Sequence, residues 1–209
     1  MSEITVRRIV EISKDETDQL ITILSRAYAN HQASRIMLGG RMDLLHLNHQ
    51  LLIGAGLLGG EIYVVENNKK QILSVALWTA PGKALEMERV EGFSDFIKEI
   101  DDETKAWYVD PFKIYINEYV PKVLGKTTLD SWWLSSIATD PDHQGNGYAS
   151  KLILSKINEI SAPNLVGLCA TSEDTVNFYN SVGFTSKGYQ ELPSKFGKLS
   201  VWCFSRDII

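Results

Sequence analysis

Apolar and polar residues alternate from Ile4 to Glu11, with Ile4, Val6, Ile9 and Val10 among charged neighbours, and this predicts a strand. The period then lengthens. Leu20, Ile21, Ile23, Leu24 and Ala27 share one side of a helix that Ser13 or Asp15 can cap and that runs to about Tyr28. A second helix is predicted from Arg41 to Ile53, with Met42, Leu45, Leu51 and Leu52 as core, and the glycines from Gly54 to Gly60 are expected to end it. Glu61 to Glu66 and Gln71 to Thr79 read as a β-hairpin joined through Asn67-Asn68-Lys69-Lys70 and closed by Ala80-Pro81-Gly82. Phe93 to Leu124 has a helical pattern with a break near Asp110-Pro111. Leu129 to Thr139 is a predicted strand, Gly147 to Ile160 a helix, Asn164 to Ala170 a short strand and Ser172 to Val182 a helix. Phe184 to Glu191 and Leu199 to Phe204 make a closing hairpin around Pro193-Ser194-Lys195-Phe196-Gly197.

This order describes an α/β (α+β) chain with a central mixed, mostly antiparallel sheet flanked by helices. A helical insert from about Gly82 to Lys126 precedes the fourth strand. At 209 residues, with no linker-like stretch or repeat, residues 1–209 are expected to form a single domain. A net charge of −5 argues against binding nucleic acid, which rests on a basic surface. The two cysteines, Cys169 and Cys203, lie in apolar runs and are expected to be buried free thiols, which points to a cytoplasmic protein. Met1-Ser2-Glu3-Ile4 does not look like a signal peptide, and no apolar run is long enough for a membrane span. No metal site is expected, because zinc spacing is missing and His31, His46 and His49 pair with no carboxylates at ligand spacing.

The chemistry lies in Asp140-Pro141-Asp142-His143-Gln144-Gly145-Asn146-Gly147-Tyr148-Ala149-Ser150, between a predicted strand and a predicted helix. The first N–H groups of a helix have no intrahelical acceptor and sit at the positive end of its dipole, so an anion can settle there. Gly145 and Gly147 remove the Cβ atoms that would hold a phosphate off the backbone. A Walker loop needs Lys and then Ser or Thr after its last Gly, but Tyr148 follows Gly147. A dinucleotide fingerprint would have its third Gly at Ser150 and an acidic residue roughly 20 positions later, and Glu159 comes too early. The pattern Gln/Arg-x-x-Gly-x-Gly/Ala fits Gln144 to Ala149 at every defined position.

That last pattern resembles the GNAT superfamily of acyl-CoA-dependent N-acyltransferases. Leu168 to Phe184, with its Phe178-Tyr179-x-x-x-Gly183-Phe184 corner, is similar to that family's strand, helix and corner, and the two motifs come in the family's order. The resemblance covers Leu129 to Phe204 well and the N-terminal half only in outline. Asp140-Pro141-x-x-Gln144-Gly145 further resembles the puromycin-acetyltransferase-like subset found in bacteria and fungi.

The resemblance implies the GNAT fold, acetyl-CoA as acyl-donor cosubstrate, and direct attack by an amine with no covalent enzyme intermediate. It places the CoA pyrophosphate on Gln144, Gly145, Asn146, Gly147, Tyr148, Ala149 and Ser150. The pantetheine arm would run beside Ile137, Ala138 and Thr139, in a splay between that strand and Leu165 to Cys169. Tyr179 aligns with the family's general acid, its phenol remaining protonated at neutral pH. Its other reading is an aromatic packed between helix and sheet. The family's strand carboxylate falls on Ser135, which is no base by itself but can order a water that carries the proton. Asp130, Glu118 and Tyr115 are other candidates for that role. Ser172 stands where the family often has Asn against the CoA arm, and it also suits a helix N-cap.

Trp132, Trp133, Trp107, Tyr108, Phe112, Tyr115 and Tyr119 make the acceptor side aromatic, although most suit a core. Alternation puts Trp132 and Trp133 on opposite faces of the sheet. The expected activity is acetyl transfer to the amine of a small-molecule acceptor, by a monomer or homodimer. The alternatives are a catalytically weakened acyl-CoA-binding module, motivated by Ser135, and an acetyltransferase acting on a protein or peptide.

Overall fold

The computed structural model describes residues 3–209. Its strands are β1 (Ile4–Ile9), β2 (Glu61–Asn67), β3 (Ile72–Thr79), β4 (Trp132–Thr139), β5 (Asn164–Ala170), β6 (Thr185–Ser194) and β7 (Gly197–Ile208). They form one seven-stranded sheet in the order β1-β2-β3-β4-β5-β7-β6. Every neighbouring pair is antiparallel except β4 and β5, as the predicted mixed sheet requires. The helices are α1 (Lys14–Ala27), α2 (Gln32–Met37), α3 (Leu45–Gly59), α4 (Phe93–Glu99), α5 (Asp102–Trp107), α6 (Val120–Leu124), α7 (Tyr148–Glu159) and α8 (Val176–Ser181).

The strand pleat sorts the core onto two faces. On β2 and β3, Tyr63, Val65, Ala76 and Trp78 join the cluster beneath α7 and α8, while Ile62, Val64, Val75 and Leu77 join the cluster beneath α1 and α3. Covering both faces explains why β3 reads as an almost unbroken apolar run. Trp132 and Trp133 separate as alternation predicts. Trp132 lies under the Lys156 ammonium, 3.8 Å from its ring centroid, and Trp133 packs in the cluster formed by α2, the insert and β7. Gly167 permits this, because a Cβ there would meet the Trp133 ring at 2.4 Å.

α1 starts at Ser13, which makes a full capping box with Glu16. The second predicted helix differs from expectation. A single 3₁₀ turn covers Met42–Leu44, and α3 then continues through Gly54 and Gly56 to Gly59. Close packing keeps those glycines helical: a Cβ on Gly54 would meet Val90 at 2.6 Å, and one on Gly56 would meet Ile62 and Leu77 at 3.2 Å. α2 has no counterpart in the sequence prediction. It is six residues long, and Ala33 and Ile36 hold it by packing on the insert and β7. The predicted helix Ser172 to Val182 begins as a 3₁₀ turn, Glu173–Thr175, before α8. In the insert the break falls at Asp110, whose φ of −153° and ψ of 119° interrupt the helical run.

Two features of β4 shape the region beyond it. Its pairing with β3 jumps from Leu77↔Ser136 to Trp78↔Leu134, so Ser135 is the extra residue of a β-bulge. Its parallel pairing with β5 stops at Leu134↔Leu168, although β5 stays paired to β7 as far as Ala170. From that point β4 and β5 diverge and the sheet is split.

Candidate active site

The split opens into a cavity of about 510 Å³, a volume typical of small-ligand sites. Its wall includes Ile137, Ala138 and Thr139 from β4, the whole run Gln144 to Ser150, and Cys169 to Ser172 from the end of β5. Thr175, Phe178 and Tyr179 close it on the α8 side, and Ala27, Tyr28 and His31 come from the end of α1 and the turn after it. All the residues expected to bind cofactor therefore border one space.

The loop presents backbone rather than side chains to the cavity. Gly145 and Gly147 have φ of +77° and +74°, a region L side chains rarely adopt, and a Cβ on either would meet nothing within 4 Å among the described residues. Among the described residues the N–H groups from Gly147 to Ser150 make no hydrogen bond, and α7 begins with Lys151 N–H donating to the Gly147 carbonyl at 3.1 Å. The Asn146 amide donates to the carbonyls of His143 (2.9 Å) and Gln144 (3.2 Å), which fixes the curl of the loop. Arg26 ties the loop to α1. Its guanidinium donates to both carboxyl oxygens of Asp140, at 2.9 and 2.8 Å, and to Asp142 at 2.8 Å. The hydrogen bond from Arg26, helped by its charge, lowers the Asp142 pKa. Asp140 in turn accepts the Asp142 N–H at 2.9 Å. Lys151, considered from sequence as a phosphate neighbour, is exposed on α7 and outside the cavity wall.

Tyr179 lies among the rings of Phe178, Phe184 and Phe204 and is 7% exposed. Its hydroxyl makes no hydrogen bond with the described residues. Burial, and then the neighbouring Tyr28 and Cys169, push its pKa upward, so it remains a proton donor. Both sequence readings of Tyr179 are thus compatible with its position, since it packs as core and borders the cavity. Ser172 occupies an N-cap position, but its hydroxyl makes no capping bond; its carbonyl instead accepts from Thr175. The N-cap role is therefore not used, and Ser172 borders the cavity.

Ser135 is placed differently. As the bulge residue it is exposed and is not part of the cavity wall. The bulge also puts Leu134 and Ile137, three residues apart, against the same core. Of the other base candidates, Asp130 is exposed and bonded to Thr127, Glu118 is exposed, and Tyr115 is buried with its hydroxyl 3.5 Å from Cys169 Sγ. Burial pushes the Tyr115 pKa far up, the wrong direction for a base. The insert aromatics mostly pack on one another, with Trp107 against Phe112 and Tyr115 against Tyr119, and none of them borders this cavity.

Three residues of the site carried no recognisable signal. Arg26 braces the loop, Tyr28 donates to the Ile137 carbonyl at 2.9 Å, and His31 borders the cavity.

Comparisons with known proteins agree with this geometry. A family model described as an Acetyltransferase (GNAT) domain matches residues 112–186, from the insert to the start of β6. A Corynebacterium glutamicum structure described as a histone acetyltransferase and related acetyltransferase is 20% identical, covers 100% of this chain and 98% of its own, and superposes with a TM-score of 0.63. Arylalkylamine N-acetyltransferase 2 from Aedes aegypti is 19% identical, covers 99% and 100%, and gives 0.62. A ribosomal-protein alanine N-acetyltransferase from Escherichia coli is 14% identical, covers 99% and 94%, and gives 0.52. At such identities the likeness establishes the fold: this chain has the fold of the GNAT acetyltransferases.

Proposed function

We propose that this chain is an acetyl-CoA-dependent N-acetyltransferase that moves an acetyl group to the amine of a small-molecule acceptor. The observation that carries the reading is the junction of a glycine loop with free N–H groups, a split between β4 and β5, and the hydroxyl of the buried Tyr179 on one cavity. The N–H groups of the Gly145 to Ser150 run would hold the pyrophosphate, with the α7 dipole behind them. Ile137 to Thr139 and Ser172 would flank the pantetheine arm, and Tyr179 would give its proton to the departing thiolate. Direct attack gains mainly from holding two reactants in line.

A small-molecule acceptor is the reading adopted from the sequence resemblance. The β6–β7 turn is bound down on α2 and the insert: Gln32 donates to the Phe196 carbonyl at 2.6 Å, Arg35 stacks over the Phe196 ring, and Lys195 pairs with Asp101 at 2.7 Å. The Asp140-Pro141-x-x-Gln144-Gly145 run supports placement near the puromycin-acetyltransferase-like subset. A cytoplasmic monomer or homodimer built as one domain completes the reading.

Calorimetric titration with acetyl-CoA and with free CoA tests the donor half. Thiol release over a panel of amines and lysine- or alanine-terminated peptides tests the acceptor half. Binding with turnover on amines alone is expected. Binding without any turnover would leave the weakened binding module, and no binding would remove the phosphate-loop assignment.

A further inference from the structure

This inference rests on the transferase reading and supplies the base that reading lacks. An aliphatic amine is mostly ammonium at neutral pH, as a lysine side chain is. It must lose a proton before its nitrogen can attack. Among the described residues, the cavity wall contains no Asp, Glu, Lys or Arg. His31 is the one side chain on that wall of a type that accepts protons near neutrality.

Local structure holds His31 in place. Its N–H donates to the Tyr28 carbonyl at 3.1 Å, and its own carbonyl accepts from Arg35 N–H at 3.2 Å, so the residue sits on the turn between α1 and α2. The imidazole meets the Tyr28 ring edge-on, with centroids 5.6 Å apart, and Tyr28 is itself anchored to β4. Its Nδ1 is buried and has no hydrogen-bond partner among the described residues. Nε2 makes no hydrogen bond with the described residues and is not enclosed as Nδ1 is, so it is the ring nitrogen that a ligand in the cavity can reach.

We propose that His31 is the general base that takes a proton from the acceptor ammonium. The electron pair of the broken N–H bond stays on nitrogen and attacks the acyl carbon as the C–S bond breaks. The Tyr179 phenolic proton goes to the leaving sulfur. The second amine proton leaves as the amide forms and restores the phenol through water. His31 releases its proton to solvent. One ammonium and one thioester thereby give one amide, one thiol and one proton.

The surroundings suit the role. Tyr28 packs on the imidazole from α1, with His49 of α3 behind it, while Cys169 of β5 and Tyr179 of α8 border the same space. Arg35, on α2 just after His31, lies over Phe196. Burial alone lowers the His31 pKa, which keeps the imidazole neutral and ready to accept at pH 7.

The test compares native chain and His31→Gln with acetyl-CoA and whichever of phenylethylamine, spermidine or a lysine peptide turns over fastest. We expect kcat/KM at pH 7 to fall about a hundredfold, with acetyl-CoA affinity by calorimetry unchanged. The native profile should level off above the His31 titration, while that of the variant climbs about tenfold per pH unit toward the pKa of the amine. In proton NMR of the native chain, the imidazole resonance missing from His31→Gln should titrate below the ordinary histidine range and shift when the amine is added. That titration uses the native chain and decides the question even where the variant does not fold. Matching pH profiles, or an imidazole resonance indifferent to the amine, would overturn the assignment. A native chain that binds no acetyl-CoA removes the transferase reading itself; turnover untouched by His31→Gln removes only the base.

Discussion

Around α7 the cavity wall is backbone: two glycines with positive φ, a row of free N–H groups and a helix start. Toward α1 and α8 it is made of side chains: Tyr28, His31, Phe178 and Tyr179. The first part suits a ligand of fixed shape and charge, which every member of a donor class shares. The second can change proton chemistry and acceptor without disturbing the first. A perturbation should therefore move either binding of the donor or the rate of transfer, and seldom both equally.

The largest break in that division is expected from Tyr179→Phe. The hydroxyl has no partner within the described residues, so its loss should leave the packing of the ring intact. We expect kcat to fall about a hundredfold with the acetyl-CoA Kd unchanged, measured by steady-state kinetics beside calorimetry. Unaltered kcat where chemistry limits the rate would make Tyr179 purely a core residue.

A pH titration sharpens the side-chain part. His49 stands behind Tyr28 with its ring centroid 5.7 Å away, and its Nδ1 is 3.0 Å from Ser25 Oγ. Burial, then the nearby His46, pulls its pKa down to about 4. An unfolded histidine titrates near 6.5, so between roughly pH 6.5 and 4 the unfolded chain binds more protons. Stability should fall as pH drops through that window, by up to about 1.4 kcal/mol per pH unit from this group. Melting curves of native chain and His49→Gln over the window check this, and equal pH slopes would refute the burial argument.

Gly147→Val tests the backbone part. The position has φ +74°, so a valine there strains the loop conformation itself, while an added Cβ meets nothing within 4 Å among the described residues and projects toward the ligand. With strain of about 1–2 kcal/mol at such a φ, acetyl-CoA should bind at least about tenfold more weakly while the sheet persists by circular dichroism. Undiminished affinity would mean that no phosphate lies there.

The smallest effect is expected at the brace between the two parts. Arg26→Met keeps the length of the stem but loses the bonds to Asp140 and Asp142. These side chains are partly solvated, so acetyl-CoA affinity should drop only about twofold to fivefold. The difference from native should shrink in ~1 M salt. A loss as large as that of Gly147→Val would make the brace an integral part of the phosphate site.

The backbone part of the site was legible because its signal is local. Two glycines, a preceding strand and a following amphipathic helix lie within one stretch of chain, and the Phe178-Tyr179 to Phe184 corner is equally compact. The α3 glycines show the limit of local reading. They look like a terminator, yet Val90, Ile62 and Leu77 pack so close that glycine is what permits the helix to continue there.

By itself the sequence determined the alternation of strands and helices, the opposite faces of Trp132 and Trp133, and the loop at Gly145 and Gly147. Each follows from periodicity or backbone freedom within a few residues. Only the tertiary structure decided that Ser135 is displaced into a bulge, that Tyr28 and His31 reach β4 and α8 from far away in the chain, and that β4 and β5 part after Leu134. Those outcomes depend on strand register and on packing between distant segments, and no local pattern encodes which distant partner a residue will meet.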